Sequence, residues 1–320
     1  MGAGAVAAET NGRAPVIVIG GPTASGKSAL AVAVAEALGG VAINADSMQL
    51  YRELSVVTAR PDAVTLERAP HRLFGVLGAD DPCSAGRWRT LALTEIAAAH
   101  AERRLPIVVG GTGLYLKALT EGIDEVPDVP AAVREAARER HKALGPEGFH
   151  AELARRDPEA ARRLSPTDRQ RLIRAFEVHE ATGRPLSAWH ADAAPVAGPD
   201  NRYLTIVLAP PRAALYAACD ARFSAMLAAG ALDEVKALLA LRLDPALPLM
   251  KAVGVRELGR HLAGEISLDA AIEAGRQATR RYAKRQYTWF RHQSPEAVVI
   301  GEQYSESLLP RIFKKIRLFC

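Results

Sequence analysis

Gly21-Pro22-Thr23-Ala24-Ser25-Gly26-Lys27-Ser28 fits the pattern G-x-x-x-x-G-K-S/T. Its glycines let successive backbone N–H groups curl around a phosphate, and a helix starting there adds its partial positive charge. Lys27 is placed to reach the outer phosphate oxygens. The Ser28 hydroxyl suits Mg²⁺, the one cofactor these residue types imply. Such a loop binds a phosphate or diphosphate without saying whose. Asp46, in Asp46-Ser47-Met48-Gln49-Leu50-Tyr51, follows a second apolar run. It reads either as a general base beside the phosphate loop or as a helix N-cap, and both can hold together. A third run, Pro106-Ile107-Val108-Val109, ends in Gly110-Gly111-Thr112-Gly113. An enzyme that hydrolyses ATP often carries there an acid that holds Mg²⁺ for attack on the γ-phosphate. The glycines are either only a tight turn or, with an acid ending the other strand, a loop that binds a diphosphate without hydrolysing a nucleotide.

These residues need a particular frame. Val16-Ile17-Val18-Ile19 reads as a buried parallel strand, and Ala29–Leu38 as an Ala/Leu-rich helix closed by Gly39-Gly40. Val41–Asn44, Pro106–Val109 and Tyr203–Leu208 read as further strands, with a short last one at Ala297–Ile300. In an open parallel sheet ligands sit beyond the carboxyl ends of the strands, which puts Asp46 beside the phosphate loop. The expected fold is α/β, a P-loop NTPase-like parallel sheet with an inserted all-helical subdomain. The core covers 15–125 and 202–320, the insertion 126–201, and residues 1–14 form a disordered lead-in. Within the insertion Ala131–Leu144, Glu147–Arg156, Pro158–Leu164 and Thr167–Thr182 are helical, the last started by Ser165-Pro166-Thr167-Asp168. Leu172, Ile173 and Phe176 face a core there, while Gln170, Arg171 and Arg174 share the other side. After the insertion, helices are expected at Pro211–Ala229 with Gly230 as C-cap, Leu232–Leu241, Leu249–Leu262, Leu268–His292 and Leu308–Phe319.

The 320 residues, 49% hydrophobic and 24% charged, are ordinary globular material. Cys83, Cys219 and Cys320 are odd in number and far apart, which implies neither a disulfide framework nor zinc and points to a reduced cytosolic setting. No run approaches transmembrane length, and Val6 spoils a myristoylation start. The net charge of +5 is mild, but Arg276, Arg280, Arg281, Lys284, Arg285 and Arg291 occur between 276 and 295 without a single Asp or Glu. Tyr282, Tyr287, Trp289 and Phe290 interleave with them. Cations position phosphates and aromatics stack on unpaired bases. The plain alternative packs the aromatics as core and leaves the cations in water.

Four stretches taken together resemble the tRNA dimethylallyltransferase (tRNA isopentenyltransferase) family of bacteria: residues 21–28, 46–51, 110–115 and 279–291. The resemblance runs in order from about Pro15 to Arg291. It implies transfer of a dimethylallyl group from dimethylallyl diphosphate to the exocyclic N6 amine of the adenosine just 3′ of the anticodon, in a monomeric cytoplasmic enzyme. On the same basis Asp46 is the base, Thr112 orients the amine, and Lys27 and Arg222 join Gly21, Pro22, Thr23, Ala24, Ser25, Gly26 and Ser28 around the leaving diphosphate. The family's tRNA contacts map onto Asp46, Ser47, Met48, Gln49, Thr112, Arg134, Gln170, Arg171, Leu172, Ile173, Arg174, Lys251, Ala252, Val253, Gly254, Val255 and Arg256. Arg281 and Arg285, from the basic run, complete the RNA-binding set.

Two segments depart from the family pattern. Val57-Thr58-Ala59-Arg60-Pro61 stands where Gly-Thr-Ala-Lys-Pro is usual, and His71-Arg72-Leu73-Phe74-Gly75 where His-His-Leu-Ile-Asp is usual. Two other functions fit parts of the pattern. An adenylate (AMP or ADP) isopentenyltransferase would need no RNA-gripping insertion. A P-loop small-molecule kinase would favour an acid in place of Gly110-Gly111.

Overall fold

The computed structural model describes residues 13–123, 126–192 and 201–320. The chain divides into two compact units, 1–121 with 199–320, and 122–198. Of the expected lead-in, residues 1–12 lie outside the described residues, as does the Pro/Gly-rich stretch at 195–199; Ala14 already opens the first strand.

The larger unit holds a six-stranded sheet of β1 (Ala14–Gly20), β2 (Gly40–Asn44), β3 (His71–Arg72), β4 (Leu105–Gly110), β5 (Asn201–Leu208) and β6 (Val298–Ile300). The spatial order is β3-β2-β4-β1-β5-β6 and every pairing is parallel. Val16 to Ile19 are wholly buried because both faces are covered, and burying each contributes about 1.5–3 kcal/mol. The pleat divides them: Val16 and Val18 join one core with Ile43 and Val108, while Ile17 and Ile19 join the other with Ile107 and Val109.

The helices of this unit are α1 (Lys27–Leu38), α2 (Ala63–Arg68), α3 (Ala85–Ala101) and α4 (Gly113–Thr120). In the smaller unit lie α5 (Ala131–Arg156), α6 (Pro158–Arg163), α7 (Arg169–Thr182) and α8 (Leu186–Asp192). The larger unit resumes with α9 (Arg212–Ala228), α10 (Ala231–Ala240), α11 (Val255–Leu262), α12 (Leu268–Gln293) and α13 (Leu309–Phe319). Leu30 and Val34 of α1 and Ile312 and Ile316 of α13 cover one face of the sheet. Trp88, Leu119, Val235, Leu258 and Phe290, from α3, α4, α10, α11 and α12, cover the other.

Several expected boundaries move. The helix expected over 249–262 is a 3₁₀ turn at Leu249–Lys251 and then α11, since Gly254 turns the chain with φ +100°. Gly230, at φ +95°, is the N-cap of α10 rather than the C-cap of α9. The two helices expected over 131–144 and 147–156, by contrast, stand as expected: α5 breaks between them at Gly145, whose φ of +68° precedes Pro146. Helix α7 begins after Asp168, whose carboxylate accepts from Arg171 N–H; Ser165 instead accepts from Thr167 N–H. Helices α2, α3 and α8 have no counterpart in the sequence reading. The smaller unit has its own core, in which the rings of Phe149 and Phe176 lie 4.9 Å apart beside Leu153 and Leu172.

Candidate active site

The turn from β1 into α1 is a nest. Gly21 and Gly26 have φ of +150° and +89°, and Ala24 is left-handed at +62°. Leu208 O lies where a Cβ on Gly21 would sit, 2.7 Å away, and the Tyr304 side chain would lie 2.4 Å from a Cβ on Gly26. Only glycine fits either place. The Ser25 hydroxyl is fully buried within the loop and has no partner there. Lys27 is buried too and donates to Pro22 O at 3.3 Å. Burial holds its ammonium down to about 8; Asp46 opposes that shift, and Arg222 adds to it. One amide departs from expectation: Thr23 N–H is already donated to Gln286 Oε1 at 2.8 Å.

Asp46 sits just past β2. Its N–H donates to Asn44 Oδ1 at 2.8 Å, and its Oδ1 accepts from Met48 N–H at 3.0 Å. This is an Asx turn, with no helix to cap. Gly110, at the end of β4, has no room for a side chain, because a Cβ would lie 2.1 Å from the Ala45 carbonyl. That close approach brings Thr112 against the Asp46 turn: Thr112 N–H donates to Ala45 O at 3.2 Å, and Thr112 Oγ1 accepts from Ser47 N–H at 2.9 Å. Lys27, Ser28, Asp46 and Gln49 line one cavity of about 270 Å³.

Arg222, on α9, donates to Thr58 O at 3.1 Å, and burial lowers its pKa. Thr58 O also accepts from Gln49 Nε2 at 2.9 Å, so the Gln49 amide spends donors on this shelf. The shelf is held by a residue the sequence reading missed. Glu234 Oε1 accepts from Ser55 N–H, Ser55 Oγ and Val56 N–H, and Oε2 accepts from Val57 N–H, all between 2.6 and 2.9 Å. Glu234→Ala leaves three backbone donors without that partner and is expected to lower stability by about 1–3 kcal/mol. A urea titration would read this as a lower midpoint at unchanged slope. Tyr282, one of the aromatics of the basic run, also neighbours Asp46: burial, and then Asp46, push its phenol up. Acidic first-turn placement is the sequence signal for Glu234, and of its partners only Val57 stands out in sequence, as a departure from the family pattern.

The two departures from the family pattern meet. Gly75 has φ +62°, and a Cβ there would lie 2.2 Å from Arg60 Nη1. Arg60 fills the space and donates to Tyr51 O at 2.9 Å. Arg60 and Gly75 are therefore in contact, the guanidinium lying where a side chain at 75 would go. Val57 packs beside Gly254, 3.4 Å from where a Cβ would be.

A second cavity, about 730 Å³, gathers Lys251, Ala252, Val253, Val255 and Arg256 with Arg281 and Arg285, and adds Arg260. The side chains of Ala252 and Val255 are nearly buried, so the cations carry its chemistry. Arg285 lies over the Tyr282 ring at 5.6 Å. The basic run is not uniform. Arg280 pairs with Asp220 at 2.6 and 2.7 Å and Arg276 with Glu273, so both cations already have a carboxylate partner. In the smaller unit Arg134, Gln170, Arg171 and Arg174 lie on α5 and α7. Leu172 and Ile173 are buried in its core, so their side chains are corrected from RNA contacts to packing.

Mg²⁺ fits the donor set. The Ser28 hydroxyl is a hard oxygen donor on the cavity, and no cluster of three His, Cys, Asp or Glu exists among the described residues. An ion there would draw most of its ligands from phosphate and water, as Mg²⁺ prefers.

The family model described as IPP transferase matches residues 49–293, and one described as isopentenyl transferase matches 14–74. A protein of Rhodospirillum rubrum named tRNA dimethylallyltransferase is 56% identical over 307 residues, covering 94% of each chain. One of the same name from Rhodospirillum centenum is 57% identical over 279 residues, 87% of this chain and 89% of its own. Among solved structures, the full-length tRNA isopentenylpyrophosphate transferase of Bacillus halodurans aligns with a TM-score of 0.68 at 29% identity, covering 95% of both chains. A eukaryotic dimethylallyltransferase acting on tRNA aligns at 0.77 and 25% identity, covering 95% of this chain and 78% of that one.

Proposed function

This chain belongs to the IPP transferase family, and from that we infer that it is a tRNA dimethylallyltransferase whose donor is dimethylallyl diphosphate and whose acceptor is the N6 amine of the adenosine 3′-adjacent to the anticodon. The observation that carries the reading is the shared cavity of Lys27, Ser28 and Asp46, with glycine where an ATP-hydrolysing enzyme would place an acid. An anion nest and a carboxylate on adjoining strand ends suit expulsion of a diphosphate by a nitrogen nucleophile.

The adenine amine is a poor nucleophile because its lone pair is delocalised into the ring. Asp46 accepts its proton as the N6–C1 bond forms, and the Asx turn leaves Oδ2 for that role. Thr112, fixed to the same turn, orients the amine. The C1–O bond breaks and diphosphate leaves into the nest, where Lys27 and Arg222 oppose the growing charge. When bound at Ser28, Mg²⁺ supplies further neutralisation of the phosphate oxygens. The target base must leave its stack to reach Asp46.

Labelled dimethylallyl diphosphate incubated with the protein, unfractionated tRNA, AMP and ATP tests the reading. Label in tRNA supports it; label in AMP, or loss of the ATP γ-phosphate, would replace it with a nucleotide prenyltransferase or a kinase. Arg281→Glu is expected to weaken tRNA binding and to reduce the slope of log affinity against log salt by about 1. An unchanged slope would make Arg281 a structural residue.

A further inference from the structure

Gln286 stands where separate parts of the core meet. Its side chain is 6% exposed, too little for RNA contact. Oε1 accepts from Thr23 N–H in the nest at 2.8 Å, and Nε2 donates to Gly111 O at 2.9 Å. One amide thus ties the loop after β1 to the loop after β4. Its neighbours on the same face of α12 make matching close contacts. A Cβ on Gly113 would lie 2.2 Å from the Trp289 indole, and one on Gly20 would lie 2.6 Å from the Phe290 ring. Positions 286, 289 and 290 are one helical face, so α12 sets the register of both loops through glycines that let it approach.

On the reaction read above, these loops are its two halves. Thr23 belongs to the loop that holds the leaving diphosphate. Gly111 precedes Thr112, which is bonded to the Asp46 turn where the amine arrives. We propose that Gln286 is a positioning residue that fixes the nest relative to the Thr112 loop, so that the allylic carbon faces the adenine amine instead of water. A misplacement of about 1 Å in such an alignment costs on the order of 10²-fold in rate. The competing reaction is hydrolysis: the C1–O bond to diphosphate breaks, a C1–O bond to water forms, and the proton passes to solvent, giving dimethylallyl alcohol and diphosphate. Alignment favours the amine, and its loss raises the share taken by water.

Three variants test this in the full-length protein. Gln286→Met keeps the length and removes both hydrogen bonds. Gln286→Glu keeps an acceptor for Thr23 N–H and, ionised, cannot donate to Gly111 O. Gly111→Ala acts from the opposite side, since its Cβ would lie 2.2 Å from Nε2 and displace the end of a flexible side chain. The readouts are kcat, KM for each substrate, and the ratio of dimethylallyl alcohol to prenylated tRNA. For Gln286→Met and Gly111→Ala, kcat is expected to fall by about 10- to 100-fold, with KM for tRNA nearly unchanged and the alcohol share raised by about 10-fold. Gln286→Glu is expected to fall between these and wild type. A residue that only stabilises the fold would lower both products together and leave their ratio as it was. Wild-type labelling of tRNA with an unchanged ratio in all three variants overturns the proposal alone. A wild-type protein that labels no tRNA overturns the reaction itself, and the proposal with it.

Discussion

Asp46→Asn is expected to lower kcat by about 10²- to 10⁴-fold while tRNA affinity stays within a few-fold. The substitution is close to silent for the structure. Asp46 N–H still donates to Asn44 Oδ1, and the Asn carbonyl oxygen can replace Oδ1 as acceptor from Met48 N–H. Ser47 and Thr112 keep their bond, so the amine still has its orienting partner. What is lost is a group able to take a proton. Single-turnover prenylation with bound tRNA separates this from any effect on association. Near-normal turnover would remove Asp46 from the base role and leave it a turn residue.

Lys27→Met is expected to lower kcat by about 10²- to 10³-fold, the usual cost of removing one donor that stabilises developing anionic charge. Its effect on stability has the opposite sign from most buried substitutions. The ammonium sits near 8 in the folded protein because burial disfavours its charge, against 10.5 for an ordinary lysine. Between those values the unfolded chain binds more protons than the folded one, so this residue's contribution to stability rises with pH. Below about 8 its buried charge destabilises the free protein, and Met removes it at similar volume. The variant is therefore expected to melt no lower than wild type at neutral pH without ligand, while donor binding weakens and stays measurable at higher donor concentration. A diphosphate against Lys27 restores its preference for the proton. Donor binding by wild type above pH 8 is accordingly expected to take up protons, seen as a buffer-dependent heat in calorimetry, and Lys27→Met should abolish that dependence. Equal loss of tRNA and donor binding in the variant would indicate misfolding instead.

These two residues were legible in the sequence because each lies in a local pattern. A buried strand, a glycine-flanked loop and a helix form one continuous stretch, so the nest around Lys27 can be read without knowing what surrounds it. The acid after the second strand follows from the same rule, that parallel strands end at the ligand. Helix boundaries were less secure wherever a glycine changed roles. In sequence Gly230 reads as the end of one helix and Gly254 as the interior of another, but their positive φ values open α10 and α11. The basic run could not be subdivided from charge alone: Arg276 and Arg280 carry the same charge as Arg281, yet Glu273 and Asp220 pair with them.

By itself the sequence determined the parallel core, the phosphate loop, the carboxylate beside it and the family likeness, since all of these rest on short runs of chain. Only the tertiary structure decided what holds these parts in register. Gln286 reaches Thr23 across 263 residues, Glu234 reaches Ser55 across 179, and Arg222 reaches Thr58 across 164. It likewise decided that Arg60 and Gly75, two separate departures in sequence, lie against each other. The reason is that residue type and spacing encode backbone preference along the chain. The partner of a buried polar atom is fixed only when the sheet brings distant loops to the same edge.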